Sequence, residues 1–363
     1  MQAKDFPYEQ FQEFKEGKEQ ALYRFLGAAQ VEEVPVMMLP PSDIYGEVAS
    51  DRQRSLERQL DALALAIKLE SDFTVTYLEP WHGVVVYAAM FGCPVEWSHF
   101  DAPQTWPIYH TVDELENLER PDVLGCEMSR MVIETIYDYR EKTGDRLDLV
   151  MTDTQSPNDS ASLIMDTNEF FTYHRLDPGR LAPLLGMVTQ AIVEFSELQL
   201  EAIGEKRSRP GHNQLSGRKL SGISISDDNM SFLSPRAYAD CALEYNSRLG
   251  EHFAGMAIHT CGNFAHNFEL LKQVKGLIMI DCALRGADPL PNEPGQLARG
   301  FADSGILLKV RMGVEDDWSF LDELIRPDVK VVFSLQSDGN VEKSNAIYRG
   351  LKEHCRRVLD RQI

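Results

Sequence analysis

The feature that most constrains this chain is an alternation: short β-rich apolar runs, each followed by a longer stretch of helical period, along most of its length. The candidate strands are 34–39, 74–77, 147–152, 222–226, 256–259, 277–281, 306–310 and 329–334. Between them lie helix-like segments at 52–69, 177–203, 235–253, 265–274, 294–303 and 341–359. Several of these open on the Ser, Asp or Pro expected at a helix start, as at Ser234-Pro235. Strands joined by crossover helices run parallel, and eight of them suit a closed (β/α)8 TIM barrel better than an open doubly wound sheet. The expectation is an α/β barrel filling 1–363 as a single domain, with residues 1–30 as helical decoration ahead of the first strand.

At 363 residues and 43% hydrophobic content, the chain can bury a large core. Its 36 Lys+Arg against 57 Asp+Glu leave a net charge of -21, which repels phosphate backbones and anionic lipid, so nucleic acid is not an expected partner. No apolar run is expected to reach the ~20 residues of a membrane helix, and the polar start MQAKDFPYEQ has no signal-peptide character. A cytoplasmic location is the corresponding expectation. The six scattered cysteines read as reduced thiols rather than a disulfide framework. Segment 204–220, GEKRSRPGHNQLSGRKL, is polar and locally basic and precedes a strand. Simple topology places it at the N-terminal face as a solvated connection; a lid or a docking loop is the other reading.

In a barrel the strand C-termini open into one mouth, so polar residues just after each apolar run are the ones that meet a substrate. The second run is followed by Glu79, Trp81 and His82, the third by Asp153, Gln155 and Asn158, and the fourth by Asp227 and Asp228. Then come His259 and Cys261, Asp281 and Cys282, Arg311, and finally Gln336 and Asp338. The opposite strand ends carry far less chemistry. Trp81, His82, Asn158, Arg311 and Gln336 are the expected substrate contacts, with Trp81, Phe232 and Tyr238 as a candidate apolar floor. Glu79 and His82 form a candidate acid/base pair or supply an extra metal ligand; as plain loop residues they carry no chemistry.

The sharpest element is His259-Thr-Cys261-Gly. An imidazole and a thiol two residues apart on an extended segment point to one side, so one metal ion can take both. Cys282 ends the next strand and would lie beside them. Two sulfurs, one nitrogen and an open fourth position describe a catalytic zinc site; a hydrogen-bonded histidine beside two inert cysteines is the bland alternative. Adjacent carboxylates at Asp227-Asp228 point to opposite faces, so at most one faces the mouth unless the chain turns there: one is catalytic or orienting and the other a cap, or both are plain caps and turn formers.

These residues resemble a known family. GISISDDNMSFLSPRAYADCALEYNSRLGEHFAGMAIHTCGN is similar to the uroporphyrinogen decarboxylase superfamily pattern: a strand ending Ser-Asp-Asp, a Leu-Ser-Pro helix start, and a strand ending His-x-Cys-Gly-Asn. TDTQSPNDSASLIMDTNEFF with DPGRLAPLLGMVTQAIVEF, and YAAMFGCPVEW nearer the start, resemble earlier units, so the likeness spans roughly residues 30–280 and thins beyond. Where true uroporphyrinogen decarboxylases carry an arginine-rich segment with a Gln-Ala-Gly core, this chain has MMLPPSDIYG. Its H-x-C-G element resembles instead the branch of thiol and corrinoid methyltransferases.

That resemblance implies zinc held by His259, Cys261 and a later ligand. The family's third cysteine follows the last strand, where this chain has FSLQSDGN. Cys282 or Asp338 would stand in, or the metal is lost; Cys355 lies within the final helix. The implied activity is methyl transfer between a small-molecule methyl donor or thiol acceptor and a corrinoid carried by a partner protein. Asp227, Asp228, Gln155 and Glu79 would orient the substrate. The alternatives are a metal-free lyase acting on another carboxylic acid, with Arg311 binding the carboxylate, and a non-catalytic binding subunit of a methyl-transfer complex.

Overall fold

The computed structural model describes residues 1–315 and 317–362. Eight barrel strands follow in chain order: β1 (Val36–Leu39), β2 (Tyr77–Leu78), β3 (Asp148–Leu149), β4 (Ile223–Ser226), β5 (Met256–His259), β6 (Leu277–Ala283), β7 (Leu307–Arg311) and β8 (Val331–Gln336). Six of them form one parallel sheet in the order β1-β8-β7-β6-β5-β4, and β2 pairs in parallel with β3. Isolated parallel bridges complete the ring: Met37 to Phe73 joins β1 to the approach of β2, and Gln155 to Ser226 joins the continuation of β3 to β4. The chain is therefore an α/β protein of (β/α)8 type, and strands 5 to 8 lie within two residues of their sequence-predicted bounds.

Helices form where local chemistry starts them. Asp51 accepts the Arg54 amide at 3.0 Å to cap Arg52–Ala66, and Ser234 accepts the Ala237 amide ahead of Pro235–Cys241. Asn340 does the same for Val341–Leu359. The expected helix over 235–253 breaks at Ala242 into two, and helices at Glu127–Thr143, Pro157–Ile164 and Thr167–Leu176 add to those predicted. Helix Ala182–Ile203 corrects one expectation. With its flanks, Pro178–Lys206 is long and apolar enough to cross a membrane on length and composition alone. In this fold Leu184, Leu185, Val188, Ile192 and Phe195 are buried within the main core.

Strand side chains alternate between two apolar sets. Val36, Met38, Ile258, Ile280, Cys282, Leu308, Val310 and Phe333 join the large core toward the helices. Met37, Phe73, Ala257, Met279, Leu307 and Val332 fill the barrel interior with Leu22 and Leu215. Each fully buried aliphatic side chain contributes roughly 1.5–3 kcal/mol. Leu22 arrives from helix Tyr8–Gly27, which closes the N-terminal end. That end is not chemically plain: Asp148 is buried there between Lys15 and Arg218.

Segment 204–220 is not a surface connection. Ser208 donates its amide to the Leu149 carbonyl at 2.8 Å, and Arg209 bridges back to Gly217. The segment wedges between the N-terminal parts of β3 and β4 and inserts His212, Gln214 and Leu215 into the interior. Tyr77 donates its hydroxyl to the Gly211 carbonyl at 3.1 Å, and Ser224 donates to the His212 carbonyl at 2.9 Å. These bonds satisfy a backbone that would otherwise be stranded inside the protein.

Candidate functional site

His259 is the last residue of β5 and faces the interior beside Asp281 of β6, its register partner. Its Nδ1 lies 2.5 Å from Asp281 Oδ2, and its Nε2 lies 3.6 Å from Cys261 Sγ. The chain turns at Gly262, whose φ of +75° and close approach to the Ser231 side chain exclude a Cβ. That turn keeps Cys261 at the mouth. Asp228 comes over from the end of β4, and its Oδ1 accepts the Cys261 amide at 2.6 Å. One ligand atom from each of Asp228, His259 and Cys261 lies within 4.8 Å of the other two.

A nitrogen, a sulfur and an oxygen at that spacing fit a zinc-sized ion. The imidazole is oriented as metal-binding histidines usually are, with its second nitrogen held by a carboxylate. Asp281 is itself fixed: Lys309 Nζ lies 2.6 Å from Oδ1, and Arg311 Nε lies 2.8 Å from Oδ2. Burial alone would raise the Asp281 carboxyl, but Lys309, Arg311 and His259 hold it well below the usual range. Burial pushes the Cys261 thiol up, aided by Asp228 and opposed by Arg311, to about 11. Arg311 also donates to the Thr260 carbonyl at 3.1 Å.

Cys282 is not part of this group. It is fully buried among the helix-facing apolar residues, and burial drives its thiol to about 12. The cause is a β-bulge: Met256 pairs with Leu277 but Ala257 pairs with Met279, so Ile278 is an extra residue. Simple alternation from Leu277 would turn Cys282 inward. The bulge reverses the parity and presents Asp281 instead.

Other expected residues separate as follows. Asp227 faces away from the mouth, held by Ser156 (3.1 Å), Tyr238 (3.3 Å) and Asn246 (2.8 Å), which makes Tyr238 an anchor rather than a floor. Burial raises the Asp227 carboxyl to about 6. His82 spends Nδ1 on the Ala49 carbonyl and Nε2 on the Thr135 hydroxyl, and burial lowers it to about 4; it is a structural histidine. Trp81 is buried against Ile44 and Ala49, and Asn158 contacts His174 and Asn229, so neither reaches the interior. Phe232 is exposed, and Asp338 sits in solvent beside Lys343. Glu79, Gln155, Asp228, Arg311 and Gln336 do face the interior or its mouth.

Glu79 belongs to a second polar group that was not legible in the sequence. His212, from the inserted segment, places Nδ1 2.8 Å from Glu79 Oε1 and Nε2 3.7 Å from Asp153 Oδ2. Burial pulls this imidazole down, yet Asp153 and Glu79 outweigh it and lift it to about 9. Asp153 also accepts from the Ser226 hydroxyl at 3.2 Å and lies 3.5 Å from the Gln155 amide. The His212 and His259 rings are 6.4 Å apart. No spacing marks His212 in the sequence, whereas a lysine inside the apolar run ILLKV was a readable sign that Lys309 needs a buried acid.

Beside these groups lies a cavity of about 430 Å³, walled by Met37, Leu39, Leu63 and Tyr77, with Glu79, His212 and Lys309 at its polar side. Its outer wall is the loop after β1, including Tyr45.

The sequence model of the uroporphyrinogen decarboxylase (URO-D) family matches residues 18–205, ending before the His259 segment. No curated protein matches in sequence. Among solved structures, a methyltransferase from Methanosarcina mazei superposes with a TM-score of 0.63 at 14% identity, covering 93% of this chain and 98% of that one. At that identity the likeness concerns the barrel fold.

Proposed function

Because the chain belongs to the uroporphyrinogen decarboxylase family, we propose that it is a methyltransferase whose reaction centre is the Asp228–His259–Cys261 group. The observation that carries this reading is the convergence of His259 Nε2, Cys261 Sγ and an Asp228 carboxylate oxygen at the barrel mouth. A zinc ion bound there would keep a thiol in its anionic, nucleophilic form. Asp281 fixes the His259 ring so that Nε2 faces the ligand position, and Lys309 and Arg311 keep Asp281 ionised for that task. The methyl group passes between a small molecule in the adjacent cavity and a corrinoid on a partner protein, with the M. mazei methyltransferase as the supporting structural relative. The lyase reading requires Arg311 to hold a substrate carboxylate, and its guanidinium is already committed to Asp281 and the Thr260 carbonyl.

Metal analysis of the purified protein tests this. About one zinc per chain is expected, falling to background in Cys261→Ala. Methyl exchange between methylcobalamin and a small thiol should follow the metal content. Protein that binds no zinc after loading would end the proposal.

A further inference from the structure

We propose that Asp159 is a positioning residue of the reaction centre: its carboxylate fixes the turn that carries Asp228, and through that turn it sets where Cys261 stands. This deepens the function proposed above and rests on it for the metal, while the geometric claim concerns the metal-free protein as well.

The first ground is the path of the chain as it leaves the barrel. The Asp227 amide donates to the His259 carbonyl at 2.8 Å, tying the end of β4 to β5. Beyond it the backbone turns over residues 228–231, and the next two amides go to Asp159. Its Oδ2 accepts the Asp228 amide at 2.6 Å and its Oδ1 accepts the Asn229 amide at 3.1 Å. One carboxylate bonded to two consecutive amides fixes the peptide planes on both sides of the Asp228 Cα, and those planes set the direction of its side chain. The same turn then grips Cys261 from two sides. Asp228 Oδ1 accepts the Cys261 amide at 2.6 Å, and the Ser231 hydroxyl donates to the Cys261 carbonyl.

The second ground is the kind of group that stands there. Asp159 is buried, and burial together with the charges of Asp227 and Asp228 raises its carboxyl well above the usual range, against the pull of the two amides. A third acid in this place is electrostatically unfavourable, and an asparagine would be less so. Asparagine, however, has one acceptor oxygen beside an NH2 that would face the second amide donor to donor. A carboxylate accepts on both oxygens, so the acid answers to the paired amides rather than to its surroundings. Asp159 stands in the first turn of helix Pro157–Ile164, which packs on the core helix Ala182–Ile203 and anchors the carboxylate in the body of the fold. Asn229 reaches back to that helix through the Ser162 hydroxyl at 3.0 Å.

Amide hydrogen exchange and zinc affinity, both on the full-length protein, test the assignment. In metal-free protein, Asp159→Asn should speed exchange at Cys261 by about tenfold, the loss of one charge-assisted bond relayed through Asp228. Asp159→Glu, which keeps the charge and shifts the carboxylate by one methylene, should act in the same direction and covers the case in which the Asn variant does not fold. Zinc affinity measured by chelator competition should fall about 10–100-fold in Asp159→Asn. In the Asp228→Ala background the same change should cost less than about twofold, because the residue acts through Asp228. Asp166 is the matched control: it too accepts two backbone amides, from Asn168 and Glu169, at a helix start, and Asp166→Asn should leave both readouts unchanged. Unaltered exchange at Cys261 in the folded Asp159 variants would overturn the proposal, and so would a loss of zinc equally large with and without Asp228. Wild-type protein that takes up no zinc would end the methyltransferase reading alone, and exchange at Cys261 would then decide this one.

Discussion

Both ends of the barrel bury one carboxylate between two cations, and they use it differently. At the closed end Asp148 receives Lys15 and Arg218, beneath the N-terminal helix. At the mouth Asp281 receives Lys309 and Arg311 and also holds the imidazole of His259, whose second nitrogen faces a thiol. The contribution of each triad to stability is similar in kind, because in both the harm comes from stranding a buried cation once the carboxylate is removed. What distinguishes the two groups is that the acid at the mouth has a third partner, His259, with a second ring nitrogen facing a thiol and a carboxylate.

Substitution can break that comparison. Asp148→Asn and Asp281→Asn should each lower the unfolding free energy by about 3–5 kcal/mol in urea denaturation, whereas Asp281→Asn alone should weaken the proposed zinc binding, by about 10–100-fold. Equal metal loss in both would show that the mouth is not special. The His212 cluster gives a sharper, smaller effect. Its imidazole is raised from 6.5 to about 9 in the folded protein, so the folded state holds this proton more tightly than the unfolded chain. The stabilisation is complete below about pH 6.5 and is lost as pH climbs through 9, with a slope of up to about 1.4 kcal/mol per pH unit. His212→Gln should flatten stability over that window, and an unchanged profile would place the proton elsewhere. The smallest change is expected for Cys282→Ala, about 1 kcal/mol of cavity cost with zinc content untouched. Zinc loss in that variant would return Cys282 to the site.

Much of the barrel was legible because strand and helix periods differ and because caps such as Ser234-Pro235 stand before the helices they start. Strand β5 and helix Val341–Leu359 fall at their predicted bounds. The His259–Cys261 pair was legible for the same reason, since period two is a local property. Its partners were not. Asp228 rather than Cys282 completes the group because one extra residue at Ile278 reverses which side of β6 faces inward, and no composition signal marks that bulge. Segment 204–220 misled for a related reason: its polar residues suit water, yet they equally suit a buried site where Glu79, Asp153 and backbone carbonyls replace it. Local pattern cannot distinguish the two environments.

The bulge also bears on how such a protein can change over generations. His259, Asp281 and Lys309 stand level on three neighbouring strands, matched one to one by register. Exchanging one amino acid for another can retune this row, but a single inserted or deleted codon in β6 would rotate its acid out among the helices and bring a thiol in. The reading length of β6 is therefore held as tightly as the identity of the acid it carries.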